Sequence, residues 1–189
     1  MIQIVLNTER WLTVIEIDRE ILQFAKDGDR MAQAEVFSYY KNYVFRSAFF
    51  MLKNEDEADD IVENVFFKVF SNFVSFDMTR SFHPWLSRII LNETRTYIKK
   101  NRRAYTNQDF VLDNIPSRSS ETKEKSQQIQ RYMKELSPKD RELITMRYFQ
   151  ELTIEEIARI VNISVANAKV RIHRATKKLK QIIETKEEN

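Results

Sequence analysis

A short capped helix, a turn and a second, basic helix are encoded between Thr153 and Gln181. Thr153 and Glu156 have the spacing of a capping box, which predicts that the first helix begins directly after Thr153. Asn162 tolerates a left-handed backbone at low cost and predicts the end of that helix, and Ser164 is a favourable N-cap for the next one. The stretch therefore predicts a helix-turn-helix.

The second helix is predicted to have one apolar and one basic face. Its buried stripe is predicted from apolar residues at helical spacing: Ala168, Ile172, Ala175 and Leu179. No acidic residue occurs from Ser164 to Gln181, and clustered basic side chains favour DNA phosphates through counterion release. A merely solvated basic face is the alternative, but capping box, turn and one-sided charge together favour a helix in the major groove. We expect DNA contacts from the outward residues Lys169, Val170, His173, Arg174, Lys177 and Lys178.

These outward residues are expected to have different tasks. Lys169 and Arg174 suit base edges because Lys and Arg pair well with guanine acceptors, and His173 can donate to an acceptor edge. Lys177, Lys178 and Lys180 are expected to meet phosphates, which positions the helix without specifying a sequence.

Composition restricts the fold class and the location. The 189 residues include one Gly and three Pro, which suits a mostly helical chain because helix interiors disfavour both. The absence of Cys excludes disulfide scaffolds and cysteine nucleophiles and favours an intracellular protein. The longest apolar run, Ala48 to Leu52, is far below the length of about 18 residues typical of a membrane span. Charges near the N-terminus make a signal peptide unfavourable, so we expect a cytoplasmic protein.

Phenylalanine marks a boundary between two halves. Eleven of the thirteen Phe lie between Phe24 and Phe82, so the first half is expected to hold an aromatic core. Four helices are predicted there: Asp18–Lys26, Met31–Lys53, Glu55–Phe73 and Phe82–Arg103. Ala104–Ser126 has no sustained periodicity and is predicted to be a flexible linker. We expect an all-α fold of two small helical domains, 18–103 and 127–189, with a segment 1–17 of unknown role.

Charge is segregated in the first half. Residues 54–64 contain six carboxylates and no cation, whereas Arg95–Arg103 contains five cations and no acid. Such runs are often only solvated helix faces. Here each lies on an amphipathic helix, which favours a docking surface.

These pieces, in this order, resemble the extracytoplasmic-function (ECF) sigma factors of bacterial RNA polymerase, which keep only regions 2 and 4. EADDIVENVFFKVF, Glu57–Phe70, is similar to the polymerase-binding helix of region 2. FHPWLSRIILNETRTYIKKNRR, Phe82–Arg103, is similar to its promoter-melting helix. Leu136–Ala175 is similar to region 4 throughout, and the resemblance covers about Asp18 to Ile183.

The resemblance implies protein and DNA partners. These are core RNA polymerase, through the clamp helices of its largest subunit and its flap region, promoter DNA, and an anti-sigma factor. It implies no cofactor, no metal and no small-molecule substrate. The residues it assigns to polymerase binding are Asp59, Asp60, Glu63, Asn64, Phe66, Phe67 and Lys68.

The resemblance also assigns promoter DNA to both halves. Aromatic faces can stack on unpaired bases for about 1 to 3 kcal/mol each, and the loop Ser75–Ser81 combines aromatic and polar residues directly before the basic helix. Trp85 is more consistent with the core, since Leu86, Ile89 and Ile90 continue an apolar stripe from it. The expected minus-10 contacts are Phe76, Asp77, Met78, Arg80, Arg88, Asn92, Arg95 and Lys99. The basic helix of the second half would read the minus-35 element.

Three positions depart from the family pattern. Glu63-Asn64 stands where Gln-Glu is common, which keeps the polymerase interface polar. Glu151 stands where Gly is common and should only alter the conformation of a connection. Asn167-Ala168 stands where Thr-Val is common, at the start of the recognition helix, so a promoter sequence cannot be borrowed from relatives.

Other function classes fit less well. An enzyme is disfavoured because one Gly cannot build a glycine-rich phosphate loop, and His83 and His173 lie in different domains. A helix-turn-helix regulator that acts without core polymerase is the remaining alternative; it predicts a dimer on a palindromic operator. It would leave the acidic, Phe-rich helix unexplained. A helical adaptor without DNA contact would leave the basic helix unused.

Overall fold

A computed structural model describes residues 17–101, 128–129 and 131–187. Every regular element among these residues is helical, which confirms the predicted all-α class. The described residues 17–101 and 128–187 belong to two different compact units, and each unit is described by itself. The predicted linker 104–126, the segment 1–16 and the last residues of the fourth predicted helix lie outside the described residues. In the described part of the chain, no helix is both long enough and apolar enough to cross a membrane.

The first unit has four helices, as predicted. They are α1 (Arg19–Lys26), α2 (Arg30–Leu52), α3 (Glu55–Asn72) and α4 (Phe82–Lys100), with a 3-10 turn at Phe73–Ser75. Side-chain oxygens of Asp18, Asp29 and Asn54 accept backbone N–H groups at the starts of α1, α2 and α3. Gly28, at φ 94, permits the predicted bend between α1 and α2.

An aromatic core fills the space where α2 packs against α1, α3 and α4. Phe82 is 2% exposed, and its ring centroid lies 5.2 Å from that of Tyr40 and 5.5 Å from that of Phe73. Tyr43 and Ser87 join α2 to α4 through a buried hydrogen bond of 2.8 Å between their hydroxyl oxygens. The core of this unit therefore rests on phenylalanines concentrated in the first half of the sequence, as predicted.

The second unit is built around one long helix. Residues 128–129 and 131–134 are helical and are followed by α5 (Pro138–Ile144), a π-helical turn (Thr145–Phe149), α6 (Ile154–Val161) and α7 (Val165–Glu187). Both α5 and α6 pack against α7. Arg141 is 5% exposed and donates to the carbonyl oxygens of Met133 at 3.1 Å and Leu136 at 3.0 Å. This buried guanidinium thus satisfies carbonyl groups where the preceding helical segment ends.

The connection from the π-helical turn to α6 is strained. The N–H of Gln150 donates to the carbonyl oxygen of Thr145 at 2.9 Å. Gln150 is completely buried, and neither polar atom of its side-chain amide has a hydrogen-bond partner in the described structure. Glu151 follows at φ 52, a left-handed conformation that costs an L-residue about 1 to 2 kcal/mol. Gly at this position would avoid that cost.

Candidate nucleic-acid and protein interfaces

The helix-turn-helix forms through the predicted local signals. The N–H of Glu156 donates to Thr153 Oγ1 at 3.2 Å, and the N–H of Thr153 donates to Glu156 Oε2 at 2.8 Å, so the capping box is reciprocal. Asn162 ends α6 in a left-handed conformation, φ 56 and ψ 56. Ser164 Oγ accepts the N–H of Asn167 at 3.2 Å and caps α7. The turn is therefore fixed by hydrogen bonds that neighbouring residues supply.

Helix α7 has the two predicted faces. Its four predicted core residues are at most 6% exposed: Ala168, Ile172, Ala175 and Leu179. The predicted DNA-contacting residues are all exposed: Lys169, Val170, His173, Arg174, Lys177 and Lys178. The arrangement confirms the predicted orientation of the helix, whereas the DNA contacts themselves stay predictions.

Ion pairs divide the cations of α7 into two groups. Lys178 Nζ lies 3.7 Å from Asp140 Oδ2, and Lys180 Nζ lies 3.9 Å from Glu184 Oε1. Lys186 Nζ lies 3.2 Å from Glu135 Oε1. Within the described part of the chain, the other outward cations have no carboxylate partner: Lys169, Arg174 and Lys177. Their positive charge is therefore available to an anionic ligand, while that of Lys178 is shared with Asp140.

A groove of about 490 Å³ lies between α7 and the π-helical turn. Its lining includes the cations Arg147, Lys169 and Arg174, together with the imidazole ring of His173. Arg147 donates to the carbonyl oxygen of Leu152 at 3.1 Å, which orients its guanidinium along the wall. Sequence reasoning missed Arg147, since only the π-helical turn brings it beside the recognition helix. The groove therefore extends the basic face of α7 onto the preceding element.

Helix α3 presents an acidic face with one exposed ring. The side chains of Asp59, Asp60, Glu63, Asn64 and Lys68 are exposed. Phe67 is 70% exposed. The prediction that Phe66 joins this face is wrong: Phe66 is 3% exposed, and its ring centroid lies 4.7 Å from that of Phe37. Successive helical residues differ in direction by about 100° because there are about 3.6 residues per turn, so Phe66 and Phe67 face different sides.

The far end of α4 packs beside the acidic start of α3. Burial raises the pKa of the Tyr97 hydroxyl, and the neighbouring charges of Glu57 and Asp60 raise it further. Since Tyr97 lies on α4, the acidic cluster and the basic helix are adjacent in the folded unit. Within the described residues, the acidic run of α3 and the basic run of α4 therefore lie close together.

The loop Ser75–Ser81 is ordered by its own side chains. Asp77 Oδ1 accepts from Thr79 Oγ1 at 2.7 Å and from the Thr79 N–H at 3.0 Å, and Arg80 Nε lies 3.1 Å from Asp77 Oδ2. The hydrogen bonds from Thr79, followed by the charge of Arg80, lower the pKa of Asp77. Asp77 and Arg80 are exposed and Met78 is half-buried.

Phe76 does not act as an exposed platform in this loop. The expected base contact is wrong for this structure, because Phe76 is 3% exposed and its ring lies 4.9 Å from that of Trp85 and 5.5 Å from that of Phe82. The 3-10 turn at Phe73–Ser75 returns the chain toward the core, and Phe76 follows Phe73 into it. The half-buried Trp85 packs with the same rings, as predicted.

Helix α4 carries the remaining predicted DNA residues in a single stripe. Arg88, Asn92, Arg95 and Lys99 follow the i, i+4, i+7, i+11 spacing of one helix face, and all four are exposed. The stripe lies on the helix that follows the ordered loop. Its geometry is that expected of a surface which tracks a nucleic-acid backbone, and contact with DNA stays a prediction.

Comparison with known proteins assigns both units. The family model "Sigma-70 region 2" matches residues 36–104, and the model "Sigma-70, region 4" matches residues 126–179. The chain is 33% identical to the ECF RNA polymerase sigma factor SigW of Bacillus subtilis (strain 168), over 82% of this chain and 91% of that relative. The chain belongs to the ECF sigma factor family. SigM of the same organism is 30% identical over 78% of this chain and 93% of its own length.

Solved structures of sigma factors share this ECF sigma factor's fold. CnrH, solved in complex with the cytosolic domain of CnrY, superposes with a TM-score of 0.66 at 23% identity and covers 89% of this chain and 97% of its own. RpoE of Bartonella quintana, solved with the anti-sigma factor NepR, superposes with a TM-score of 0.64 at 18% identity and covers 80% and 96%. At these identities the likeness supports the fold. Neither matched family model describes a catalytic domain.

Proposed function

We propose that this ECF sigma factor binds core RNA polymerase through α3 and directs it to promoters that α7 reads in duplex form. The observation that carries the proposal is the outward face of α7, where Lys169, Arg174 and Lys177 have no carboxylate partner in the described structure. A merely solvated face gains nothing from such unpaired cations, whereas a duplex supplies a phosphate row and guanine edges.

Polymerase binding is assigned to the exposed side of α3. Asp59, Asp60 and Glu63 provide an acidic surface, and Phe67 at 70% exposure provides an apolar anchor of the kind that dominates protein interfaces. We assign this surface to the clamp helices of the largest polymerase subunit, and region 4 to the flap region. Phe66 supports the surface only from within the core.

Promoter opening is assigned to the loop Ser75–Ser81 and the exposed stripe of α4. With Phe76 in the core, the loop offers Asp77 and Arg80 as polar groups for a base that has left the stack. Arg88, Asn92, Arg95 and Lys99 would follow the strand that carries it, because a cationic groove tracks a single-stranded backbone. The loop's hydrogen bonds hold it open toward solvent before DNA arrives.

The proposal also includes a regulatory protein and a cellular location. Two structural relatives with TM-scores above 0.6 are described in complexes, CnrH with CnrY and RpoE with the anti-sigma factor NepR. We infer that an anti-sigma factor also binds this chain and covers the faces of α3 and α7. We place the protein in the cytoplasm, where it acts by binding, without a cofactor and without a catalytic site.

The function is tested by transcription with purified core polymerase. Templates with randomised upstream and downstream elements are transcribed with core alone and with core plus this chain, and the transcripts are sequenced. We expect the chain to enrich a defined two-part motif. A motif-free transcript pool, equal to that of core alone, would refute the sigma assignment.

Variants of α3 separate the proposal from a regulator that acts without polymerase. Asp59→Lys combined with Asp60→Lys should abolish co-purification with core and start-site-specific transcription. Glu35→Lys, at an exposed acid of α2, is the matched charge-reversal control and should leave both intact. Retained transcription in the double variant would contradict the α3 assignment.

The opening step has its own test. Asp77→Ala combined with Arg80→Ala should leave holoenzyme binding to upstream duplex unchanged and reduce the permanganate reactivity of thymines in the melted region. Core packing is unaffected because both side chains are exposed. Normal permanganate reactivity in this variant would remove the loop from the opening mechanism.

A further inference from the structure

Three residues of different chemistry form one outward stripe on α7. Asn167, Val170 and Arg174 have the i, i+3, i+7 spacing, and all three are exposed on the side away from the buried residues Ala168 and Ile172. At about 1.5 Å of rise per residue, the stripe is about 10 Å long. This length corresponds to about three steps of 3.4 Å along a DNA strand.

Val170 is an unusual residue for the centre of this face. It is 48% exposed on a helix whose other outward residues are mostly cationic. A β-branched residue does not favour helix formation, and an exposed apolar group does not favour solubility, so neither effect explains it. An apolar side chain that faces a major groove can contact the C5-methyl group of thymine, a group that no other base carries.

Asn167 lies in the first turn of α7, but its side chain is not the cap. Ser164 performs that task by accepting the backbone N–H of Asn167. In the described part of the chain, the Asn167 amide group makes no hydrogen bond of its own. The N-terminal residues of a recognition helix are those that contact base edges, and Asn pairs in bidentate fashion with the N6 and N7 atoms of adenine.

Arg174 completes the stripe as an unpaired cation. The described carboxylates pair with Lys178, Lys180 and Lys186, and none pairs with Arg174. An Arg side chain suits the O6 and N7 acceptors of guanine. Each position of the stripe therefore matches a different base edge.

We propose that this stripe reads three bases of the upstream element in the order of the helix: an adenine at Asn167, a thymine methyl at Val170 and a guanine at Arg174. The inference deepens the proposed function and rests on it, since α7 has to lie in a major groove. It adds Asn167 to the readout and gives Val170 a defined chemical partner. The departure from the family pattern at Asn167-Ala168 then alters which promoters are chosen.

The test combines variants with base analogues in the holoenzyme. A preferred upstream duplex is first selected from randomised sequence with the parent chain bound to core. At each selected adenine, 7-deazaadenine removes N7; at each selected thymine, uracil removes only the methyl group. We expect one adenine whose modification weakens parent binding by about 2- to 13-fold, since one of two hydrogen bonds is lost, and one thymine whose demethylation weakens it by about fourfold.

The variants then decide the assignment. Asn167→Ala should lose sensitivity to 7-deazaadenine at that single position, because Ala cannot donate to N7, and Val170→Ser should lose sensitivity to uracil at the identified thymine. Arg174→Ala should lose sensitivity to 7-deazaguanine. Lys177→Ala is the control, because it lies on the same face and should weaken all duplexes alike without altering any analogue effect.

Two outcomes would overturn the inference, and they differ in their consequences for the proposed function. If a motif is selected but the Asn167 and Val170 variants keep the parent's analogue sensitivities, the stripe does not read these bases and the sigma assignment still holds. If the parent holoenzyme selects no upstream motif, the inference falls together with the assignment of α7 to promoter readout. Circular dichroism of each variant checks that the helices are retained.

Discussion

Replacing Glu151 with Gly should stabilise the DNA-reading unit of this chain. Glu151 has φ 52, and an L-residue in this conformation costs about 1 to 2 kcal/mol. Gly removes that cost but loses about 0.4 to 1 kcal/mol because it increases the entropy of the unfolded chain. The midpoints of the two ranges, about 1.5 and about 0.7 kcal/mol, leave a net stabilisation of about 0.8 kcal/mol. Glu151→Ala should be close to neutral, since Ala keeps the Cβ atom that makes the conformation unfavourable.

Hydrogen exchange measures this stabilisation separately in the helices of each unit. Amides of α6 and α7 should exchange more slowly in Glu151→Gly, whereas amides of α2 and α3 should be unchanged. Glu155→Gly is the matched control, because the same replacement at an exposed helical position should destabilise by about 1 kcal/mol. Equal or faster exchange in α6 and α7 of the Glu151→Gly variant would refute the strain argument.

Three further predictions follow from burial and pairing. Phe66→Ala should destabilise the first unit by about 3 to 5 kcal/mol in urea unfolding, whereas Phe67→Ala should leave stability nearly unchanged and weaken co-purification with core polymerase. Gln150→Met should raise the free energy of unfolding by about 1 to 3 kcal/mol, because it removes a buried amide without a partner; a loss of stability would indicate that the amide is satisfied in solution. Asp140→Asn should release Lys178 and strengthen holoenzyme binding to all upstream duplexes alike at low salt, with a slope of log affinity against log salt that is steeper by up to about 0.9; an unchanged slope would show that Lys178 does not meet phosphate.

Local signals explain why the helix-turn-helix could be predicted from sequence. The capping box at Thr153 and Glu156, the left-handed Asn162 and the Ser164 cap each act within three residues, so one short stretch contains all the information. The apolar periodicity of α7 was equally sufficient, because it is uninterrupted. The helices of both units are predictable from sequence wherever the capping residues and the apolar periodicity agree.

The errors have two sources, a resemblance that overrode a local pattern and side-chain positions that depend on distant partners. Phe66 lies in the apolar periodicity of α3, and that pattern alone assigns it to the core; the resemblance to a docking helix wrongly extended the interface to it. Phe76 follows a 3-10 turn, and no local signal shows that the turn redirects its ring against Trp85. Arg147 reaches the groove only because a π-helical turn shifts its direction. The positions of Phe76 and Arg147 required tertiary structure, whereas the burial of Phe66 could be predicted from the periodicity.

Ion pairing on α7 lowers the sequence-independent affinity of region 4 for DNA. Each phosphate that a cation neutralises contributes about 0.9 to the salt dependence, and this attraction is the same for every sequence. Lys178 and Lys180 have carboxylates at 3.7 Å and 3.9 Å, which weakens their contribution. Two of the three unpaired cations, Lys169 and Arg174, lie within about one helical turn of Val170, where a wrong base pair would lose specific contacts and gain little phosphate attraction in exchange. Under the proposed readout, discrimination depends on the outward stripe, and the remaining affinity for a promoter has to come from polymerase and from region 2.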